Sequence, residues 1–228
     1  MIRYLLIVLS LLILSCKPSP EENQQNDLIW KKIKESKNFL DYVSFMRKNP
    51  LSNHFENALN LYFEKRELYW KENMPPAVDC FSNCGQILID SLGEITFEDD
   101  IIKKDTLSDF LLKFLVNEQK KVTWPNNREI TDSKGIKHTI SKGAFEIIFD
   151  KRQIEKLKFI VSEINHSFEK YKEFLSNEWF DKKFEDLDKD DKYLLDSLLE
   201  YRLTFWKLED IRVPPPPPPM ENIYENEN

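Results

Sequence analysis

Between residues 154 and 175 the chain carries its most regular pattern. Ile154, Leu157, Val161, Ile164, Phe168, Tyr171 and Leu175 follow one another in alternating steps of three and four. That spacing returns to one side of a helix, so the segment reads as a long helix with a continuous apolar stripe. Three heptads with apolar or aromatic a and d positions also fit one strand of a dimeric coiled coil, which would make the chain a homodimer. Phe168 and Tyr171 are bulky for a tight seam, and they suit a helix laid on a sheet better. The flanking segments offer the strands for that sheet.

Val78–Ser82 and Gln86–Ser91 read as a hairpin around Asn83, Cys84 and Gly85. Gly93 turns the chain into an extended stretch, Glu94–Ile102. A helix is expected from Thr106, where Thr106 to Asp109 has the spacing of a capping box and Leu107, Phe110, Leu111 and Phe114 share a face. Pro125–Asn127 and Asp132–Gly135 are loop signals. Ile136–Ile140 alternates as a strand, Lys142 and Gly143 turn, and Ala144–Phe149 continues extended. After the long helix come a short one, Lys189–Glu200, and a last extended segment, Tyr201–Leu208. With 41% hydrophobic residues, 16 of them Phe, the chain can fill a core. The expected class is α+β, a small sheet covered by a long helix, over residues 77–212.

Two helices are expected ahead of it, over residues 27–74. The first spans 27–48 and stops at Asn49-Pro50; the second runs from Asn53 to Glu72, with Phe55, Leu59, Tyr62, Phe63, Tyr69 and Trp70 on one face. So short a turn makes them antiparallel neighbours. The stretch Trp30–Tyr69, with KNPLSNHFENAL at its turn, resembles a single tetratricopeptide-type helical pair. One pair cannot form the groove that about three repeats build, so it is expected to brace the main domain, with a partner-binding surface as the alternative.

Residues 1–16, MIRYLLIVLSLLILSC, have one charged side chain, Arg3, and an apolar run about half as long as the roughly 20 residues a spanning helix needs. This is the layout of a secretory signal peptide over residues 1–15. Ile13-Leu14-Ser15-Cys16 resembles the lipobox of bacterial lipoproteins, which implies that Cys16 becomes an acylated first residue. Each buried methylene contributes roughly 0.8 kcal/mol, so two or three acyl chains such as palmitate hold a protein on a membrane. Loss of Arg3 leaves the mature part more acidic than the full chain's −7, and anionic lipid adds nothing to its retention. Lys17 stands where an aspartate often retains lipoproteins in the inner membrane, which points to the outer membrane. Residues 16–26 read as a polar tether. Residues 213–228 read as a polyproline rod, Pro214–Pro219, with an acidic disordered tail; a spacer is the expectation, and a docking ligand for an aromatic groove is the alternative.

Export places Cys80 and Cys84 in an oxidising compartment, and a turn at Asn83 and Gly85 would let the two sulfurs meet as a disulfide; two buried thiols are the alternative. Four glycines and three histidines, all dispersed, make neither a phosphate loop nor a poly-histidine metal site. The net charge argues against a nucleic-acid partner. Asp186, Asp188 and Asp190 imitate the start of an EF-hand loop, but Asp191 and Ser197 stand where that loop needs glycine and glutamate, so the run reads as a helix cap. No cofactor is expected. Two carboxylate-bearing pairs are candidates for a secreted hydrolase: Glu98 with Asp100, which share a face if the stretch is extended, and Glu163 with His166, one helical turn apart.

GQILID followed by TLSDFLLKFLVN, then HTISKGAF, then VSEINHSFEKYKEFLSNEWFDKKFEDL, resembles the periplasmic domain of the ExbD/TolR family over residues 86–206. The resemblance implies a module that dimerises and contacts a partner protein or peptidoglycan in energised outer-membrane transport. The family's proton-handling aspartate has no counterpart, since residues 1–20 contain no Asp or Glu. The expectation is a non-enzymatic, lipid-anchored envelope protein. The alternatives are an inner-membrane ExbD/TolR-type subunit of a proton-driven complex and a secreted hydrolase. Mass measurement of the mature N-terminus from purified membranes should find an acylated Cys16. An intact, unacylated Met1 would overturn the lipobox reading and favour the inner-membrane subunit.

Overall fold

The computed structural model describes residues 19–73, 83–98, 100–118, 120–200 and 202–211. Among them are helices α1 (Pro20–Ile33), α2 (Phe39–Lys48), α3 (Phe55–Glu72), α4 (Leu107–Val116), α5 (Ile154–Phe180) and α6 (Lys189–Leu199). The strands are β1 (Cys84–Ile89), β2 (Ile95–Phe97), β3 (Asp100–Ile101), β4 (Asn127–Thr131), β5 (Lys137–Ser141), β6 (Ala144–Phe149) and β7 (Leu203–Lys207). The fold is α+β. Five strands form a mixed sheet in the order β3-β2-β1-β6-β7, and β4 and β5 make a separate two-stranded ribbon.

Alternation explains the sheet. Gly85, Ile87 and Ile89 of β1, Ile95 and Phe97 of β2, Phe145, Ile147 and Phe149 of β6, and Leu203 and Phe205 of β7 are all buried. Alternate residues of a strand share a face, so these side chains form one apolar surface. The register aligns them: Phe97 lies opposite Ile87, Ile87 opposite Ile147, and Ile147 opposite Phe205. β1 and β2 are antiparallel and turn at Gly93, whose φ of 77° suits glycine. β6 is parallel to both β1 and β7, so each parallel pair needs a long crossover. The second crossover is α5 with α6.

The stripe of α5 is spent on this surface. Leu157, Val161, Ile164, Phe168, Tyr171 and Leu175 are each at most 2% exposed, and the Phe168 ring lies 5.6 Å from that of Phe145. A coiled-coil seam through these residues therefore has no free surface, and the helix-on-sheet expectation describes the segment.

Helices α2 and α3 pack on each other and belong to the same core. Tyr42, Val43, Met46, Phe55, Ala58 and Tyr62 are buried in one cluster with Phe149, Phe168 and Phe205. Two polar contacts fasten α3 to the outer edge of the sheet. Arg66 Nη1 donates to the Phe205 carbonyl at 2.5 Å, and the Phe205 N–H donates to the Tyr62 hydroxyl at 3.3 Å. A sheet edge leaves backbone groups unpaired, and here α3 satisfies them. The Arg66 guanidinium carbon also sits 4.4 Å from the ring centres of both Trp70 and Trp206.

Several local expectations change. Residues 20–26 of the expected tether are helical, because Ser19 and Glu22 form a capping box with Pro20 in the first turn. The expected helix over 27–48 is two helices, since the Asn38 side chain accepts from Leu40 N–H and starts α2 afresh. β1 pairs with β2 through the turn at Gly93; the proposed earlier strand, Val78–Ser82, lies outside the described residues. Thr106 does not cap α4 through its side chain, which instead donates to the Lys103 carbonyl at 3.1 Å. Strand β4 was not expected, since Asn127–Thr131 is polar and largely exposed.

Two truncations should separate these roles in urea unfolding followed by tryptophan fluorescence. Phe168→Ala should cost about 3–5 kcal/mol, as for a fully buried aromatic. Arg66→Ala should cost about 1–3 kcal/mol from the orphaned Phe205 carbonyl, before any loss of tryptophan packing. Wild-type stability in Arg66→Ala would show that the edge contact contributes nothing.

Candidate functional site

At the end of the sheet where β6 begins, three elements leave a groove between them. The C-terminal half of α4 and the loop 117–126 form one wall, the β4–β5 ribbon another, and the second half of α5 the floor. Two adjoining hollows of about 400 and 520 Å³ share Val116 and Phe174. Phe110, Lys113, Lys121 and Trp124 line the first. Asn127, Ile136, His138, Thr139, Glu178 and Trp179 are among those lining the second.

The loop wall is built by Asn117. It ends α4 in the left-handed conformation, with φ and ψ both 46°, which asparagine tolerates better than most residues. Its side chain then holds the loop it begins. Asn117 Nδ2 donates to the carbonyls of Lys121 at 3.3 Å and Pro125 at 3.2 Å, and Asn117 Oδ1 accepts from Lys121 N–H at 2.9 Å. This fixes Trp124 against Phe110 (ring centres 6.0 Å apart) and Phe114 (5.9 Å). Lys121 Nζ lies 4.0 Å from the Trp124 ring centre, a cation–π contact. Phe174 stacks on Tyr171 at 6.1 Å and stays 36% exposed.

The ribbon wall is anchored by a buried pair. His138 Nε2 is 3.0 Å from Asp132 Oδ2, and their side chains are 5% and 1% exposed. The imidazole stacks on Trp179 of α5 with ring centres 4.5 Å apart. Asp132 Oδ1 accepts from Lys134 N–H at 2.9 Å and Ile136 N–H at 2.8 Å, closing the turn between β4 and β5. The hydrogen bond from His138, followed by those backbone donors, holds the Asp132 carboxyl below its ordinary range. Below the ribbon, the Ser141 N–H donates to the Tyr171 hydroxyl at 3.1 Å and its carbonyl accepts from Arg202 Nη1 at 2.7 Å. Burial pulls the Arg202 guanidinium down to about 10 and pushes the Tyr171 phenol up.

The acidic run meets the tip of this ribbon. Asp188 caps α6 by accepting from Asp191 N–H at 2.9 Å, and Lys134 Nζ donates to both carboxylate oxygens of Asp191 at 3.0 and 2.9 Å. Asp186 lies in the short turn before that cap, and Asp190 is in the first turn of α6.

The candidate hydrolase pairs are separated from this groove's lining. Glu98 occupies the turn between β2 and β3 with φ of 50°, which breaks the alternation that would align it with Asp100. Glu98 Oε1 instead accepts from Gln86 N–H at 2.8 Å. Glu163 and His166 both lie on α5, with no hydrogen bond or ion pair between them. Cys84 opens β1 and is disulfide-bonded. Cys80 and Cys16 lie outside the described residues, as do residues 1–18 and 212–228.

Asp132, His138, Trp124 and Phe174 were not singled out from sequence. The Asp132–Gly135 turn signal and the alternation of Ile136–Ile140 were readable, but nothing local placed His138 on Trp179. No protein-family model, curated protein or solved structure matches the chain.

Asp132 closes the ribbon turn and holds the His138 ring that stacks on Trp179, and Asp188 caps α6 and pairs with Lys134 at 3.5 Å; each is held below its ordinary pKa. The folded form binds these protons less readily than the unfolded chain. Their stabilisation is therefore complete above the unfolded carboxyl value of about 4 and lost as pH falls through the lower folded values. Acid unfolding of Asp132→Asn or Asp188→Asn should show a shallower pH dependence below about pH 4 than wild type, with lower stability at pH 7. Parallel acid limbs would exclude that coupling.

Proposed function

We propose that the chain is a non-enzymatic bacterial envelope protein, held by lipid at Cys16, whose α+β body binds a partner through the groove centred on Phe174. The observation that carries this reading is the aromatic lining around a large apolar side chain left 36% exposed. Aromatic anchors in a partly desolvated pocket supply most of the free energy of many interfaces. The lining favours a protein segment over peptidoglycan, because the Trp124 half of the groove offers rings and lysines and few hydroxyl or amide partners for sugar.

The sequence likeness to the ExbD/TolR periplasmic domain supports the same reading, since that module contacts protein or cell wall. No helix among the described residues is long and apolar enough to cross a membrane. Outer-membrane placement rests on Lys17. The Cys80–Cys84 disulfide remains a proposal that fits an oxidising compartment, as does a homodimer formed through surfaces other than the α5 stripe.

Photocrosslinking from position 174 in intact cells should trap a defined envelope protein. Trp124→Ala should reduce that yield at least about 30-fold, the scale of a hot-spot truncation. Co-sedimentation with purified cell-wall sacculi, lost in the same variant, would assign the groove to peptidoglycan instead. No adduct at position 174 and no sedimentation would overturn the reading.

A further inference from the structure

We propose that the Trp124 half of the groove is the docking site of the chain's own C-terminal segment, residues 213–228. The inference does not depend on whether the groove also takes a partner.

The chemistry of the two surfaces matches. Residues 214–219 are six consecutive prolines, and Met220, Ile223 and Tyr224 follow among three glutamates, Glu221, Glu225 and Glu227. The proline run is already extended as polyproline II, so it presents the residues after it at little cost in entropy. The groove presents apolar rings for Met220, Ile223 and Tyr224 in Phe110, Trp124 and Phe174. Its rim carries Lys113 and Lys121, with Glu118 as the one opposing charge. On a chain of net charge −7, a rim with two lysines to one glutamate is suited to an acidic segment.

The lengths match as well. β7 runs parallel to β6, so the chain reaches Ile211 beyond the end of the sheet opposite the groove. The groove adjoins the start of β6: a side-chain carbon on Gly143 would lie 3.0 Å from Leu115 and 3.1 Å from Pro125. Crossing the sheet along β6 takes about 17 to 20 Å at roughly 3.3 Å per residue. Six prolines in polyproline II cover about 19 Å at 3.1 Å per residue. The rod therefore spans the sheet and delivers Tyr224 and the glutamates to the lysine rim of the same molecule.

The test uses the full chain purified in detergent, with a benzophenone amino acid in place of Tyr224 and crosslinks mapped by mass spectrometry. Crosslinks should fall within one chain, on the last turn of α4 or on residues 117–126, at a yield independent of protein concentration. Lys113→Glu with Lys121→Glu should lower that yield at least tenfold, and so should replacing Pro214–Pro219 with a glycine-serine run of equal length. Both changes are made at exposed or tail positions, and circular dichroism checks that the fold survives. Crosslinks that map elsewhere, that join only different chains, or that persist in both variants would overturn the proposal. Failure here leaves the position-174 crosslinking result untouched, so the two readings are judged separately.

Discussion

The guanidinium of Arg66 joins two parts of this molecule that the sequence presents separately. It lies 4.4 Å from the ring centres of Trp70 and Trp206, which stack on one another at 5.5 Å, and it donates to the backbone of the outermost strand. A buried arginine is costly to desolvate, and among the described residues this one has no carboxylate paired with it. Its compensation comes from the Phe205 carbonyl, the Tyr62 hydroxyl at 3.1 Å and the faces of four aromatic rings, although Nε makes no hydrogen bond. The sheet edge is thereby closed by a helix. α2 and α3 become part of the core, and α5 gains a second neighbour along its length. Arg47 repeats the device further along, donating to the Leu199 carbonyl at the end of α6 while lying over the Phe168 ring.

With the sheet closed on that side, the open chemistry is left at the end where β6 begins. There the molecule uses small polar devices in place of a deep core. Asn117 folds a loop around its own amide, Asp132 folds a turn around its own carboxylate, and His138 docks that turn onto Trp179. Each is a local backbone satisfaction that sets the position of an aromatic ring nearby. The result is a groove with an apolar floor and a charged rim, the surface proposed to hold an extended chain.

Legibility in the sequence followed the strength of local periodicity. The α5 stripe specified its helix, because seven apolar positions at helical spacing exclude other folds for that segment, and the bulk of Phe168 and Tyr171 favoured a sheet over a coiled-coil seam as its partner. The strand Ala144–Phe149 and the Asp188 cap were readable for similar reasons. Strand β4 was not, because Asn127–Thr131 has one apolar residue and pairs only with β5. The break between α1 and α2 was missed because apolar spacing continues across it, while Asn38 interrupts the backbone.

The sequence by itself determined the class of fold and the position of its dominant helix. These depend on order along the chain, which short-range sterics and hydrophobic spacing translate directly. Only the tertiary structure decided that Arg66 closes the sheet, that Asp132 and His138 form a buried pair against Trp179, and that Trp124 and Phe174 share a groove. Those contacts join residues tens of positions apart. Their free energy exists only once the core has brought the elements together, so no local pattern records them.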